Sequence, residues 1–299
     1  MKLANKKAII FGGSRGIGKA IAEAYLKEGA EVFLVARNGE ELAVAQKELA
    51  ALGAPGGSAS ISEKISIAVA DVSKQADVER VADEVKKKWG APDVLVNAAG
   101  VYGPIGPATD IDPAAWLDAI TINLFGTFLA IRSFAALMRE KRPGASDDRG
   151  GGVIINFVGG GEGAYPHFSS YVSAKGGVAR LTETVAAELK DDGIRVNAIA
   201  PGAVNTKFLD DIIAAGPEKS GKETYEKSLK QKESGGVSPD KAAALCVFLA
   251  SDESRGLTGK ILSAVWDPYE TFPHNMEKIM SSDVYTMRRV QPEDRDIKM

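Results

Sequence analysis

"KAIIFGGSRGIGKAIAEAYLKEG", from Lys7 to Gly29, decides the fold. A short apolar run ends in glycines and passes at once into small and apolar residues at helical spacing, which reads as strand, tight turn and helix. Gly12, Gly16 and Gly18 stand where the backbone turns sharply. Lacking a Cβ, they admit the required dihedrals and leave the amides of a helix N-terminus open to an anionic group such as a diphosphate. Their spacing is G-x-x-x-G-x-G, which differs from the commoner fingerprint G-x-G-x-x-G.

Outward from this unit the same rhythm repeats. The apolar runs "EVFLVAR", "KISIAVADV", "PDVLVNAAG", "GVIINFVG", "RVNAIAPG" and "GKILSAVW" alternate with amphipathic stretches, the longest being "AWLDAITINLFGTFLAIRSFAALMREK". Such alternation predicts an α/β protein: a single-domain, doubly wound parallel sheet of about seven strands with helices on both faces, over residues 1–266. "GAPGGSASISEK" (53–64) and "RPGASDDRGGG" (142–152) read as surface loops. Residues 205–237 mix helix formers with glycine and charge and read as a lid or binding loop. The extension 267–299 has too few regularly spaced apolar residues for a second domain, and it is expected to pack over the cleft or a neighbouring subunit.

The 299 residues are 44% hydrophobic with a net charge of −3, which suits a globular chain with a substantial core and argues against a nucleic-acid partner. Cys246 is the single cysteine and sits in an apolar helical context, so no intrachain disulfide forms. His167 and His274 alone give little material for a metal site, and none is expected. The N-terminal apolar run is too short for a signal segment, and no stretch is read as reaching membrane-spanning length, so a cytoplasmic protein without membrane contact is expected.

A second stretch, "IINFVGGGEGAYPHFSSYVSAK" from Ile154 to Lys175, carries the chemistry. Tyr171 and Lys175 lie one helical turn apart, where an ammonium can stabilise a phenolate and bring its pKa down toward the working range. Taken with the glycine turn, "ADV" at Ala70–Val72, "NAAG" at Asn97–Gly100, "TINLFGT" around Asn123 and "PGAVNT" from Pro201, the chain resembles the short-chain dehydrogenase/reductase family, with its Rossmann-like fold, from about Lys7 to Gly259.

The resemblance implies that Gly12, Ser14, Arg15, Gly16, Ile17 and Gly18 hold a nicotinamide dinucleotide. It also implies that Asp71 and Val72 meet the adenine, that Asn97, Ala98 and Gly100 line the ribose region, and that Pro201, Gly202, Val204 and Thr206 meet the nicotinamide and diphosphate. It makes Tyr171 the general acid/base, gives Lys175 a second role on the nicotinamide ribose, and has Asn123 hold Lys175 through a water. Cofactor choice follows from charge: the second strand ends with Ala36 and Arg37, where an NAD enzyme places a carboxylate, and Arg15 faces the same region in the family. NADP(H) is favoured over NAD(H). The implied substrate is a small carbonyl compound or secondary alcohol, and the implied assembly a homodimer or homotetramer.

One family group is missing. A serine that hydrogen-bonds the substrate oxygen is expected thirteen residues before the tyrosine, where this chain has Val158; a shift of one gives Gly159, equally without a hydroxyl. Three readings stay open: Tyr165, Ser169 or Ser170 substitutes, the substrate orients itself, or the protein is a slow or silent cofactor-binding sensor or scaffold.

Overall fold

Strands β1 (Lys7–Phe11), β2 (Glu31–Ala36), β3 (Ile65–Val69), β4 (Val94–Asn97), β5 (Gly152–Phe157), β6 (Ile194–Ala200) and β7 (Ile261–Ser263) form one sheet of order β3-β2-β1-β4-β5-β6-β7. Every neighbouring pair is parallel. The computed structural model describes residues 1–52, 61–141, 151–160 and 163–297. Most of the two expected surface loops, at 53–60 and 142–150, lies outside the described residues; Ile61–Lys64 is a short 3-10 turn.

The near-continuous apolar strands are explained by burial on both faces. Ile10, Leu34, Val96 and Ile155 point to a core completed by helices α1 (Gly16–Lys27), α2 (Gly39–Ala50) and, after the intervening helices, Pro239–Ala250. Ile9, Phe33, Leu95 and Ile154, one residue away in each strand, point to the opposite core, built with α3 (Gln75–Trp89) and the helices Gly126–Lys141 and Ser169–Glu188. Chain order reverses between β1 and β4, and a crevice opens there at the carboxyl ends of the strands.

The long helix read as one element is three: α4 (Pro113–Ile120), a π-helical turn (Thr121–Phe125) and α5 (Gly126–Lys141). An 18-residue window within the 28-residue run Pro113–Glu140 has mean hydropathy 1.6, so by length and composition the run does reach membrane-spanning size, contrary to the sequence expectation. Half of that window is buried in the protein, as befits a helix lying against the sheet core.

The segment 205–237 is a helical hairpin rather than a loop. After α6 (Ser169–Glu188), α7 (Lys207–Ser220) bends at Gly216, whose φ of +74 is followed by Pro217, and α8 (Lys222–Ser234) returns along it. Helix α9 (Pro239–Ala250) then leads to β7, which is shorter than its apolar run because Asp267 accepts from the Ser263 amide at 2.6 Å and turns the chain away.

No described residue of the extension borders the cleft. Its 3-10 turn Tyr269–His274 and short helix α10 (Met276–Met280) bury Phe272 and Ile279 beside Phe248 of α9. Tyr285 O then accepts from the Ile261 amide at 2.8 Å, so the tail continues onto the outer edge of β7. Buried Lys260 fixes this path by donating to Ser282 O at 2.9 Å and Val284 O at 3.0 Å. Trp266 stays 83% exposed.

Candidate active site

The crevice encloses about 1890 Å³, from the glycine turn at one end to the α7–α8 hairpin at the other. Its inner end is built by β1 and α1. Gly12, at φ +82, lies so close to β4 that a Cβ would stand 2.7 Å from the Ala99 nitrogen, and a Cβ on Gly18 would overlap the Gly12 carbonyl. Only glycine lets this turn fold onto the neighbouring strand. No side chain caps the α1 N-terminus: Arg15 stands at the cap position without a capping hydrogen bond. Uncapped amides with the positive end of the helix dipole suit a diphosphate.

Ser14, Arg15, Gly16 and Ile17 border this end, with Arg37 across from them. Arg15 is already engaged: its Nη1 donates to Glu41 Oε1 at 2.9 Å, and Ser14 Oγ donates to Glu41 Oε2 at 3.2 Å. Glu41, on the first turn of α2, is a cleft residue that sequence reasoning missed, since only the tertiary fold brings it to the glycine turn.

Val72, Ala98 and Gly100 border the middle of the crevice, and Pro201, Gly202, Val204 and Thr206 its far wall. Asp71 and Asn97 do not border it. Asp71 accepts from the Ser73 amide at 3.0 Å and hydroxyl at 2.6 Å. Partial burial pushes its pKa up, but those hydrogen bonds with the charges of Arg37 and Lys74 outweigh it, and the carboxyl sits below its ordinary range. Asn97 is buried and donates to Asn156 Oδ1 at 2.8 Å, tying β4 to β5.

Tyr171 and Lys175 enter from α6 as neighbours on one face, both buried. Lys175 Nζ lies 6.0 Å from the Tyr171 ring centroid and donates to Phe157 O at 2.9 Å. Burial lowers the lysine to about 8. Burial also pushes the Tyr171 phenol up, with Tyr165 adding to the effect, so the protein alone does not show the lowering expected from the lysine. Asn123 is fully buried in the π-helical turn, where its side chain donates to Val101 O at 2.8 Å and Ala119 O at 2.9 Å and accepts from the Val101 amide at 3.2 Å. It holds the strand-end loop beside Gly100, and a Cβ on Gly100 would stand 2.7 Å from Asn123 Oδ1 and 3.6 Å from Lys175 Nζ.

Val158 and Gly159, the two positions where the family resemblance places a serine, differ in what they face. Val158 packs with Val178, Ala179 and Ala198, whereas a Cβ on Gly159 would overlap the Tyr171 hydroxyl. Gly159, twelve residues before Tyr171, is therefore the position that faces the phenol. Ser169 accepts from the Trp116 indole at 3.2 Å and buried Ser170 donates to Tyr102 O at 3.4 Å; neither borders the crevice. Tyr165 does, stacked on Phe168 with centroids 4.2 Å apart. Tyr102, another residue missed from sequence, sets its ring 4.7 Å from that of Tyr171 and 4.5 Å from that of Phe208. On the α7–α8 hairpin these charges pair among themselves: Lys207 with Asp211 at 3.0 Å, Lys227 with Glu223 at 2.6 Å and Lys232 with Asp210 at 2.9 Å.

Residues 12–264 match a family model described as Enoyl-(Acyl carrier protein) reductase. Among curated proteins, 3beta-hydroxysteroid dehydrogenase 2 of Eggerthella lenta is 32% identical over 275 residues, covering 89% of this chain and 96% of the relative. The 2-(S)-hydroxypropyl-CoM dehydrogenase 3 of Xanthobacter autotrophicus is 33% identical over 260 residues, covering 86% and 94%. Among solved structures, an actinorhodin polyketide ketoreductase crystallised with NADPH superposes with a TM-score of 0.73 at 27% identity, over 87% of this chain and 95% of that one.

Proposed function

The chain belongs to the short-chain dehydrogenase/reductase family and is an NAD(P)-dependent oxidoreductase acting on CH–OH or C=O groups; from that premise we propose that it is an NADP(H)-preferring reductase of uncharged, apolar carbonyl compounds, with Tyr171 moving the proton. The observation that carries this reading is the buried Tyr171–Lys175 pair at the end of a crevice whose other end is an uncapped helix N-terminus flanked by Arg15 and Arg37. These residues fit the cofactor: backbone amides for the diphosphate, two guanidinium groups for a 2′-phosphate, and an ammonium with donors beyond the one spent on Phe157 O. When bound, the nicotinamide supplies or takes the hydride.

The chain's own residues do the rest. With its phenol pushed up and its lysine near 8, the resting site at neutral pH is a protonated tyrosine beside an ammonium, which suits giving a proton to a carbonyl oxygen. Tyr165 supplies the second donor to that oxygen, because of the three candidate substitutes it alone borders the crevice. The rings of Tyr102, Tyr165 and Phe208 together with the self-paired lid charges favour a substrate without charge. We place its work in the cytoplasm, on small molecules.

The test is NADPH consumption with a panel of neutral aryl and alkyl ketones, with an enoyl compound of matching skeleton to detect C=C reduction. Tyr171→Phe is expected to abolish turnover while NADPH binding persists. Residual activity equal to the parent would remove the tyrosine from the mechanism. Arg15→Ala with Arg37→Ala is expected to weaken NADPH by about 2 kcal/mol and NADH hardly at all. Gly159 supports a second reading, a cofactor-binding protein without turnover; it predicts that NADPH binds and no carbonyl in the panel consumes it.

A further inference from the structure

Glu41 reaches back from the first turn of α2 to the glycine turn. Asn38 Oδ1 accepts from the amides of Glu40 at 2.9 Å and Glu41 at 3.1 Å, so the helix is capped without help from the Glu41 carboxylate. That carboxylate spends both oxygens on the turn, one on Arg15 and one on Ser14. Arg15 is the cation that would meet a 2′-phosphate, so the group that distinguishes the two cofactors has a carboxylate competing for its partner.

We propose that Glu41 sets cofactor choice: it neutralises Arg15, handicaps the 2′-phosphate, and so leaves the chain able to accept NAD(H) as well. The proposal rests on the NADP(H) reading above. A phosphate carrying nearly two negative charges repels a carboxylate on the same guanidinium, so the two compete for Arg15. Side chains of Arg15 and Glu41 are 56% and 36% exposed, and an ion pair so open to water is weak enough for the phosphate to displace it. NADP(H) therefore binds by driving Glu41 from Arg15. Without a 2′-phosphate the pair stays intact, and Glu41 stays at the crevice as an acceptor open to a ribose hydroxyl.

The experiment isolates the distinguishing phosphate from the nicotinamide. Binding of 2′,5′-ADP and of 5′-ADP is measured by calorimetry for the parent, Glu41→Gln, Glu41→Lys and Arg15→Ala, with thermal melting to establish that each variant is folded. Glu41→Gln is expected to tighten 2′,5′-ADP about threefold or more relative to 5′-ADP, on the scale of one exposed pair. Glu41→Lys is expected to go further in the same direction, since it adds a cation where the carboxylate stood. Arg15→Ala is expected to weaken 2′,5′-ADP selectively. If Arg15→Ala acts equally on both ligands or on neither, the NADP(H) reading fails. If it acts selectively while Glu41→Gln and Glu41→Lys leave the ratio unchanged or lower it, the role of Glu41 alone is overturned.

Discussion

Gly159 shows how a residue without a side chain can fix the position of one that has chemistry. The Tyr171 hydroxyl occupies the space of a Gly159 Cβ, and Tyr102 and Phe208 hold the ring from the sides, with centroids at 4.7 and 5.9 Å. Adding any side chain at 159 must displace the phenol, and a shift of about 1 Å at a reacting group can lower a rate a hundredfold. Gly159→Ala and Gly159→Ser are therefore both expected to lower kcat/KM by tenfold or more. A gain in the serine variant would mean that the vacant hydroxyl, not the space, limits the enzyme. Val158→Ser buries a hydroxyl among Val178, Ala179 and Ala198 and is expected to lose about 1–3 kcal/mol in urea unfolding with no gain in activity. Lys175 gives a pH signature. Burial holds it near 8, below its ordinary 10.5, so the ammonium is present below that value and lost above it. Carbonyl reduction is expected to lose kcat/KM as pH rises through about 8. For stability the sign is opposite: the buried charge is a full penalty below about 8, and it is relieved as pH climbs toward 10.5. Lys175→Met is thus expected to raise the stability of the ligand-free protein near neutral pH, by up to about 3 kcal/mol, with the difference shrinking toward pH 10. A difference independent of pH would assign the effect to packing alone.

Among the elements, the seven strands were legible because burial on both faces makes the central ones short, nearly continuous apolar runs. The glycine turn and the Tyr171–Lys175 spacing were legible because they are local. What failed to read was built from distant parts: the Arg15–Glu41 pair joins two helices and Tyr102 meets Phe208 only across the crevice, while the choice between Val158 and Gly159, left open by the sequence, is weighed only against the folded tyrosine. The lid misled because glycine and proline at 216–217 interrupt what are two helices. The extension misled because Phe272, Ile279 and Tyr285 follow no regular period, yet they seal the base of α9 and the β7 edge. Removing residues from 282 onward strips Lys260 of two carbonyl acceptors and bares the Ile261 amide. That truncation is expected to lose roughly 2–3 kcal/mol and to self-associate through the open edge, while the protein that remains folded keeps its activity. Light scattering and melting together check this; an activity loss without destabilisation would bring the tail back to the crevice.

For the whole molecule, the tail occupies the β7 edge, so a homodimer or homotetramer of the kind the family resemblance implies would use another face. Leu117, Phe125 and Phe128 on α4, the π-helical turn and α5 are 58%, 43% and 41% exposed. A dimer or larger species is expected by light scattering, and Leu117→Glu with Phe128→Glu is expected to shift it to monomer; a parent that is monomeric at all concentrations ends that expectation. The lid has a different consequence. It leaves the body after Val204 and returns at Gly236 and Val237, and these residues bridge one another, with Gln231 donating to Ala203 O at 3.0 Å and to Asn205 Oδ1 at 2.9 Å. Its two ends meet at one seam, so the hairpin between them can lengthen, shorten or be replaced without moving a strand, and the entropic cost of a longer insert grows only logarithmically. The crevice is in this sense modular: the hairpin that closes one end of it can diverge at its own pace while the sheet, the glycine turn and the Tyr171–Lys175 pair stay in place.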